Sequence, residues 1–261
     1  MSPQFLNGPL LVAIVLGISL LVAQGWRARA RRRRREINAK TRDKMVAIVS
    51  TTNEYVPVGA SSVEGLNQEK LAEYTAALEQ LGFSRLLDYR LRRGDSGELR
   101  GFERVFANSE EQCFAGIMAG GVLQPDQPLF VAINSYMDGG WRLGTSNIAA
   151  RKADYYLRHP CILRMRYPDD PIKRLVARHL ERRAEILRDL DIKTLPDVSI
   201  EFFIARSREA NVERKTKIQT ANPLGDLPLA EAQATARTQE WLGDYPAEAE
   251  RRRAQKKPAA S

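Results

Sequence analysis

Cysteine and histidine are both scarce, with two of each in 261 residues. Cys113 and Cys161 cannot make a disulfide framework, and a reducing compartment keeps them as thiols. Their spacing is not that of paired metal ligands. Two histidines leave few acid–base candidates. His159-Pro-Cys161 with His179 offers three nitrogen or sulfur ligands, one short of the usual structural zinc set. Cys113 or a carboxylate would have to complete it. There is no phosphate loop, no G-x-S-x-G, no H-E-x-x-H and no dinucleotide fingerprint. No internal repeat is present. No cofactor and no metal are expected.

Charge is absent from residues 1–26, and seven arginines follow at once: Arg27, Arg29, Arg31, Arg32, Arg33, Arg34 and Arg35. A stretch from Phe5 to Trp26 is long enough for the roughly 20 helical residues that cross a bilayer core. Trp26 suits the interface, and basic residues beside a span stay on the cytoplasmic side. The chain is therefore expected to have one transmembrane helix, Met1 outside, and residues 27–261 in the cytoplasm at the inner or plasma membrane. A cleaved signal is disfavoured. The basic n-region is missing, and the A-x-A match at Ala28-Arg-Ala30 lies inside the arginine block.

The net charge of +9 is unevenly placed. Residues 1–35 carry +7 and residues 251–261 carry +5, which leaves −3 for residues 36–250. A basic domain face, the footprint of nucleic-acid binding, is thus not expected. Anionic lipid is the nearer partner for both basic flanks, at about 1 kcal/mol per residue. The Arg251–Lys257 tail is expected to return to the same membrane surface.

Between the flanks the periodicity reads as α+β: an antiparallel β-meander packed against amphipathic helices. Residues 1–26 are the anchor and 27–44 a basic juxtamembrane segment. Residues 45–218 form the cytoplasmic domain, and 219–261 a linker, a short helix and a basic disordered tail. Residues 45–49 suggest a strand and 50–65 a loop. Asn67 is a fitting N-cap for a helix carrying Leu71, Tyr74, Leu78 and Leu81 on one face, with Gly82 as its stop. Strands are expected near 85–92, 98–107, 113–119, 129–137, 141–145 and 162–167. Asp138-Gly139-Gly140 marks a hairpin. Asp170 is expected to cap a second helix starting at Pro171. Residues 197–218 read as a third helix with a strand as the rival, and residues beyond Pro246 as disordered.

Site candidates come from two places. One is the His159/Cys161/His179 region. His159 and Cys161 share a face if they lie on a strand, but a Cys–His pair needs a third orienting group. His179 falls among apolar helix positions and reads as a satisfied core residue. The other is the Asp138–Asn147 edge, where Asp138, Thr145 and Asn147 cluster and glycine lets a ligand approach the backbone; turn chemistry is the competing account. Aromatic residues in the strands read as core rather than as base-stacking platforms. The first expectation is a protein-binding or scaffold module at the membrane, with self-association open. The alternative is a membrane-tethered enzyme or small-ligand binder using one of the two candidate regions.

Overall fold

The computed structural model describes residues 24, 26–40, 43, 54–120 (except 93, 95 and 96), 127–149, 159–220 and 240–256. Almost all of the expected span, and the strand expected at 45–49, lie outside the described residues. Among the described residues no helix is long and apolar enough to cross a membrane. Residues 26–40 are helical (α1), and every arginine from Arg27 to Arg35 is exposed on it.

The domain is α+β. Eight strands form one sheet in sequential order: β1 (Glu54–Pro57), β2 (Ser84–Arg92), β3 (Leu99–Asn108), β4 (Cys113–Ala119), β5 (Phe130–Tyr136), β6 (Arg142–Ser146), β7 (Ile162–Arg166) and β8 (Glu240–Trp241). The longer helices are α2 (Gln68–Glu79), α3 (Ile172–Leu190), α4 (Ile200–Thr220) and α5 (Tyr245–Lys256). Six strands and three of these helices fall where the periodicity places them.

Local chemistry accounts for the agreement. The Asn67 side chain accepts from the Lys70 N–H at 2.9 Å, satisfying one of the free donors of the first turn. At the other end of α2, Gly82 adopts a φ of +82° and the Phe83 N–H returns to the Leu78 carbonyl at 3.1 Å, a Schellman-type stop. Gly139 and Gly140 both take positive φ. They let the β5–β6 hairpin close through the Met137 N–H to Trp141 O bond of 2.9 Å.

Five expectations are corrected. Residues 54–57 are not loop but the edge strand β1, tied to β2 by the Glu54–Arg92 ion pair of 2.8 Å. The sheet is not wholly a meander, because β6 and β7 run parallel; residues 147–161 lie between them and permit a crossover that a tight turn would forbid. Asp170 does not cap α3. Pro171 is the N-cap, and Asp170 forms ion pairs with Arg174 and Arg178. Within the segment expected to hold a linker and a short helix, Glu240–Trp241 form the strand β8, which pairs with β7 at Arg164–Trp241 and Met165–Glu240; residues 221–239 lie outside the described residues. Residues 247–256, expected to be disordered, are helical. α5 buries Tyr245 and Ala249 against Ile186 and Leu190 of α3, and Arg252 donates to the Leu190 carbonyl.

The two faces of the sheet differ. On one, α2 and α3 cover Phe102, Phe106, Ile117, Val131 and Ile133, all buried, and α5 extends the cover over Leu143 and Leu163. Each such side chain contributes about 1.5–3 kcal/mol on burial. Within this layer Arg104 makes two bonds of 2.8 Å to the buried Asp88 carboxylate and a third, 2.8 Å, to Thr75 of α2. The other face carries a smaller core, where Phe202 and Phe203 of α4 meet Phe114 and Tyr136 with ring centroids 5.3–6.2 Å apart.

Candidate functional site

The first turns of α4 pack Phe202 and Phe203 on aromatic side chains of the sheet. Further along, its inward positions are Ser207, Ala210, Asn211 and Arg214 at helical spacing. They stand over a cleft of about 300 Å³, at the lower end of the size range of small-molecule sites. Strand alternation builds the floor. Ala132 of β5 and Gly144 of β6 line it on the α4 side beside Met118 and Asn134, and Gly116 of β4 leaves the room over which Glu103 Oε1 lies.

Charge surrounds this floor. Glu103 of β3 stands on one side. Arg142 of β6 and Arg164 and Arg166 of β7 stand on the other, and Arg214 comes from α4. Four guanidinium groups and one carboxyl group thus line a cleft in a body whose residues 36–250 sum to −3. Tyr55 and Tyr89 beside Glu103, with Leu91, Met118 and Ile162, supply apolar surface.

Glu103 is the chemically distinctive group. Its Oε2 accepts a short hydrogen bond from the Tyr89 hydroxyl. Burial pushes its carboxyl up to about 7, opposed by that hydrogen bond and by Arg142. Tyr89 is held well above its ordinary value by burial and by the neighbouring Glu103 charge. Arg142 does not neutralise Glu103. Its Nη2 donates to Asn134 Oδ1 at 3.1 Å and its guanidinium lies over the Tyr136 ring, 4.8 Å from the centroid. A second cavity of about 240 Å³ lies alongside, sharing Arg142, Ile162 and Ala210 with the first.

The candidates named from sequence do not converge. His179 is fully buried on the α2/α3 side. Its Nε2 bonds Ser135 Oγ and its Nδ1 bonds Thr145 Oγ1, both at 2.9 Å. Burial and Arg183 lower its pKa to about 3, so it is a neutral structural ring. Ser135 and Thr145 are equally buried, and a hydroxyl without access cannot act as a nucleophile on a substrate. His159 and Cys161 lie before β7, not on a strand, and His159 Nδ1 accepts from the Cys161 N–H at 3.2 Å. His159 lines the second cavity with Asp138. Cys161 packs against the cluster under α5. Burial drives the Cys113 thiol up to about 12, the value of an inert core thiol. Asp138 and Asn147 serve the backbone, accepting from the Lys193 N–H at 3.1 Å and the Val131 N–H at 2.7 Å. Among the described residues no three His, Cys, Asp or Glu side chains gather as a metal site.

The Asp138–Asn147 edge does border the cleft through Gly144, Thr145 and Ser146. Sequence reading passed over Glu103, Tyr89, Arg142, Arg164, Arg166 and Arg214. A signal was present: a carboxylate between Phe102 and Arg104, and arginines alternating with buried Leu163 and Met165. Comparison with known proteins finds no match to any family model, curated protein or solved structure.

Proposed function

We propose that this chain is a small-ligand-binding domain tethered to the cytoplasmic face of a membrane, and that the cleft beneath α4 takes a small organic anion. One observation carries the reading: four arginines from three elements border a small-residue floor in an otherwise slightly acidic body. Guanidinium groups match carboxylate and phosphate geometry through paired N–H donors. The tyrosines and aliphatic side chains that line the cleft suit a ligand with an apolar portion.

The tether reading rests on the uncharged run at residues 5–26 and the arginine block after it. The exposure of all seven arginines along α1 supports contact with anionic head groups. The C-terminal arginines favour it less. Arg251 and Arg252 pair with Glu248, and Arg253 with Asp189, so part of that charge is neutralised within the domain.

The binding test is a thermal-shift panel of small phosphates and carboxylates on the full-length protein in detergent. At least one anion raises the melting temperature of the wild type, and Ala132→Leu, which fills the floor, abolishes the shift. A panel with no response would refute the cleft reading and return the protein-docking module to first place. Topology is tested by an impermeant maleimide on intact cells. Ser2→Cys should label and Glu110→Cys should not; the reverse pattern would overturn the orientation.

A further inference from the structure

We infer that the cleft selects an amphoteric ligand, one whose anionic group faces the arginines while an ammonium group on the same small molecule pairs with Glu103. This rests on the cleft reading above and adds the chemical class of the ligand.

On the α4 face, β3 places Glu103 opposite Tyr89 of β2. Its Oε1 lies across the neighbouring strand, above Gly116. A Cβ at residue 116 would sit 2.6 Å from that oxygen. Any other residue there would push the carboxyl group off the floor. One oxygen is accounted for, since Oε2 accepts from Tyr89. Oε1 makes no hydrogen bond to a described residue. A recessed carboxylate lacking a partner is costly, and proteins usually meet that cost with an arginine or lysine.

Here a cation is near and is not used. Arg142 is the guanidinium whose charge reaches Glu103, yet no ion pair joins Glu103 to any described cation. Asn134 intervenes, taking the Arg142 Nη2 proton, and the Tyr136 ring holds the guanidinium plane. Acid and base face one cleft from opposite sides, Glu103 on β3 and Arg142 on β6, with Ala132 and Asn134 of β5 between them, and the cleft volume is the gap that a ligand would span. Complementarity across that gap requires a molecule with both signs of charge. A ligand with only the anion leaves Oε1 without that partner and binds with Glu103 protonated.

Charged and titratable groups around Glu103 are Tyr55 on β1, Tyr89 on β2, Tyr136 on β5, Arg142 on β6, Arg164 and Arg166 on β7 and Arg214 on α4. Burial raises all three tyrosines above their ordinary value, and it brings Glu103 to about 7. Binding an ammonium group therefore expels the proton that Glu103 partly holds at pH 7.

The test is isothermal titration of the full-length protein at pH 7 with a matched pair of probes. O-phosphoethanolamine carries phosphate and amine. Glycerol 3-phosphate carries the phosphate and hydroxyls instead. The first should bind at least about tenfold more tightly, and its binding should release protons, read from the heat in two buffers of different ionisation enthalpy. Glu103→Gln should bring the two affinities together by weakening the amine ligand alone. The proton count is measured on the wild type, so the inference remains exposed if the variant misfolds. Equal affinities with no proton release would overturn the inference while leaving an anion-binding cleft. Binding of neither probe would overturn it as well, and the anion panel would then decide the parent reading separately. Repeating the titration in nanodiscs with and without phosphatidylethanolamine separates a free ligand from a lipid head group. If the head group is the source, the free-probe signal disappears in the first and persists in the second.

Discussion

Ile117 and Met118 are consecutive residues of β4 that live in different environments. Ile117 points into the layer under α2 and α3 and is wholly buried. Met118 faces α4 and borders the cleft. The same division runs through the sheet: Phe102 against Glu103, Leu143 against Gly144, Leu163 against Arg164. One side is assembled for cohesion, with apolar volume and a fully bonded Arg104–Asp88 pair. The opposite side spends its central positions on small and charged residues that contribute little to stability. Such residues persist where something other than packing is required of them.

The contrast can be broken or sharpened in four ways. Arg104→Ala strands the Asp88 carboxylate in the closed layer with only Arg85 beside it. Urea denaturation should register a loss of about 3–5 kcal/mol. Ile117→Ala should cost about 2–5 kcal/mol and Met118→Ala under about 1 kcal/mol; equal losses would erase the distinction between the faces. His179 titrates next. Its folded pKa lies near 3, below the ordinary 6.5, so its contribution is complete above pH 6.5 and drains away as the pH falls toward 3. The slope is at most about 1.4 kcal/mol per pH unit, and His179→Gln should remove that component from a stability–pH curve. Glu103 acts in the opposite sense. Its folded pKa is raised to about 7, so the native state loses stability as the pH climbs from 4.5 to 7 and is level above. Glu103→Gln should therefore be the more stable protein at pH 8, by about 1–3 kcal/mol, although it weakens ligand binding.

Much of the fold could be read from the chain because it is written locally. α2 has its cap, stripe and stop within 17 residues, from Asn67 to Phe83. The strands from β2 to β7 are delimited by turn residues. β1 and β8, four and two residues long, are too short to carry a period of their own and exist through their partners. The parallel β6–β7 pairing depends on the path between them, which alternation does not encode. α5 reads as a solvated tail because its apolar anchors, Tyr245 and Ala249, are few; their partners on α3 lie some 60 residues earlier. The cleft was hidden for a similar reason. Charged residues alternating with buried ones look like a solvent face along any single strand. They become a site when registration sets Glu103 above Gly116 and α4 roofs them.

The one parallel step in the sheet also bears on how the chain acquires its shape. From β1 to β6 each strand lies beside its sequence neighbour, so pairing can advance in order as the polypeptide emerges from the ribosome. β7 cannot join until the crossover is in place, and β8 and α5, which finish that edge, are synthesised after α4. At roughly 5–20 residues per second, the nascent domain spends several seconds with β7 unguarded along one side. Long-range closure of this kind is slow, so that interval is when a chaperone would have most to protect.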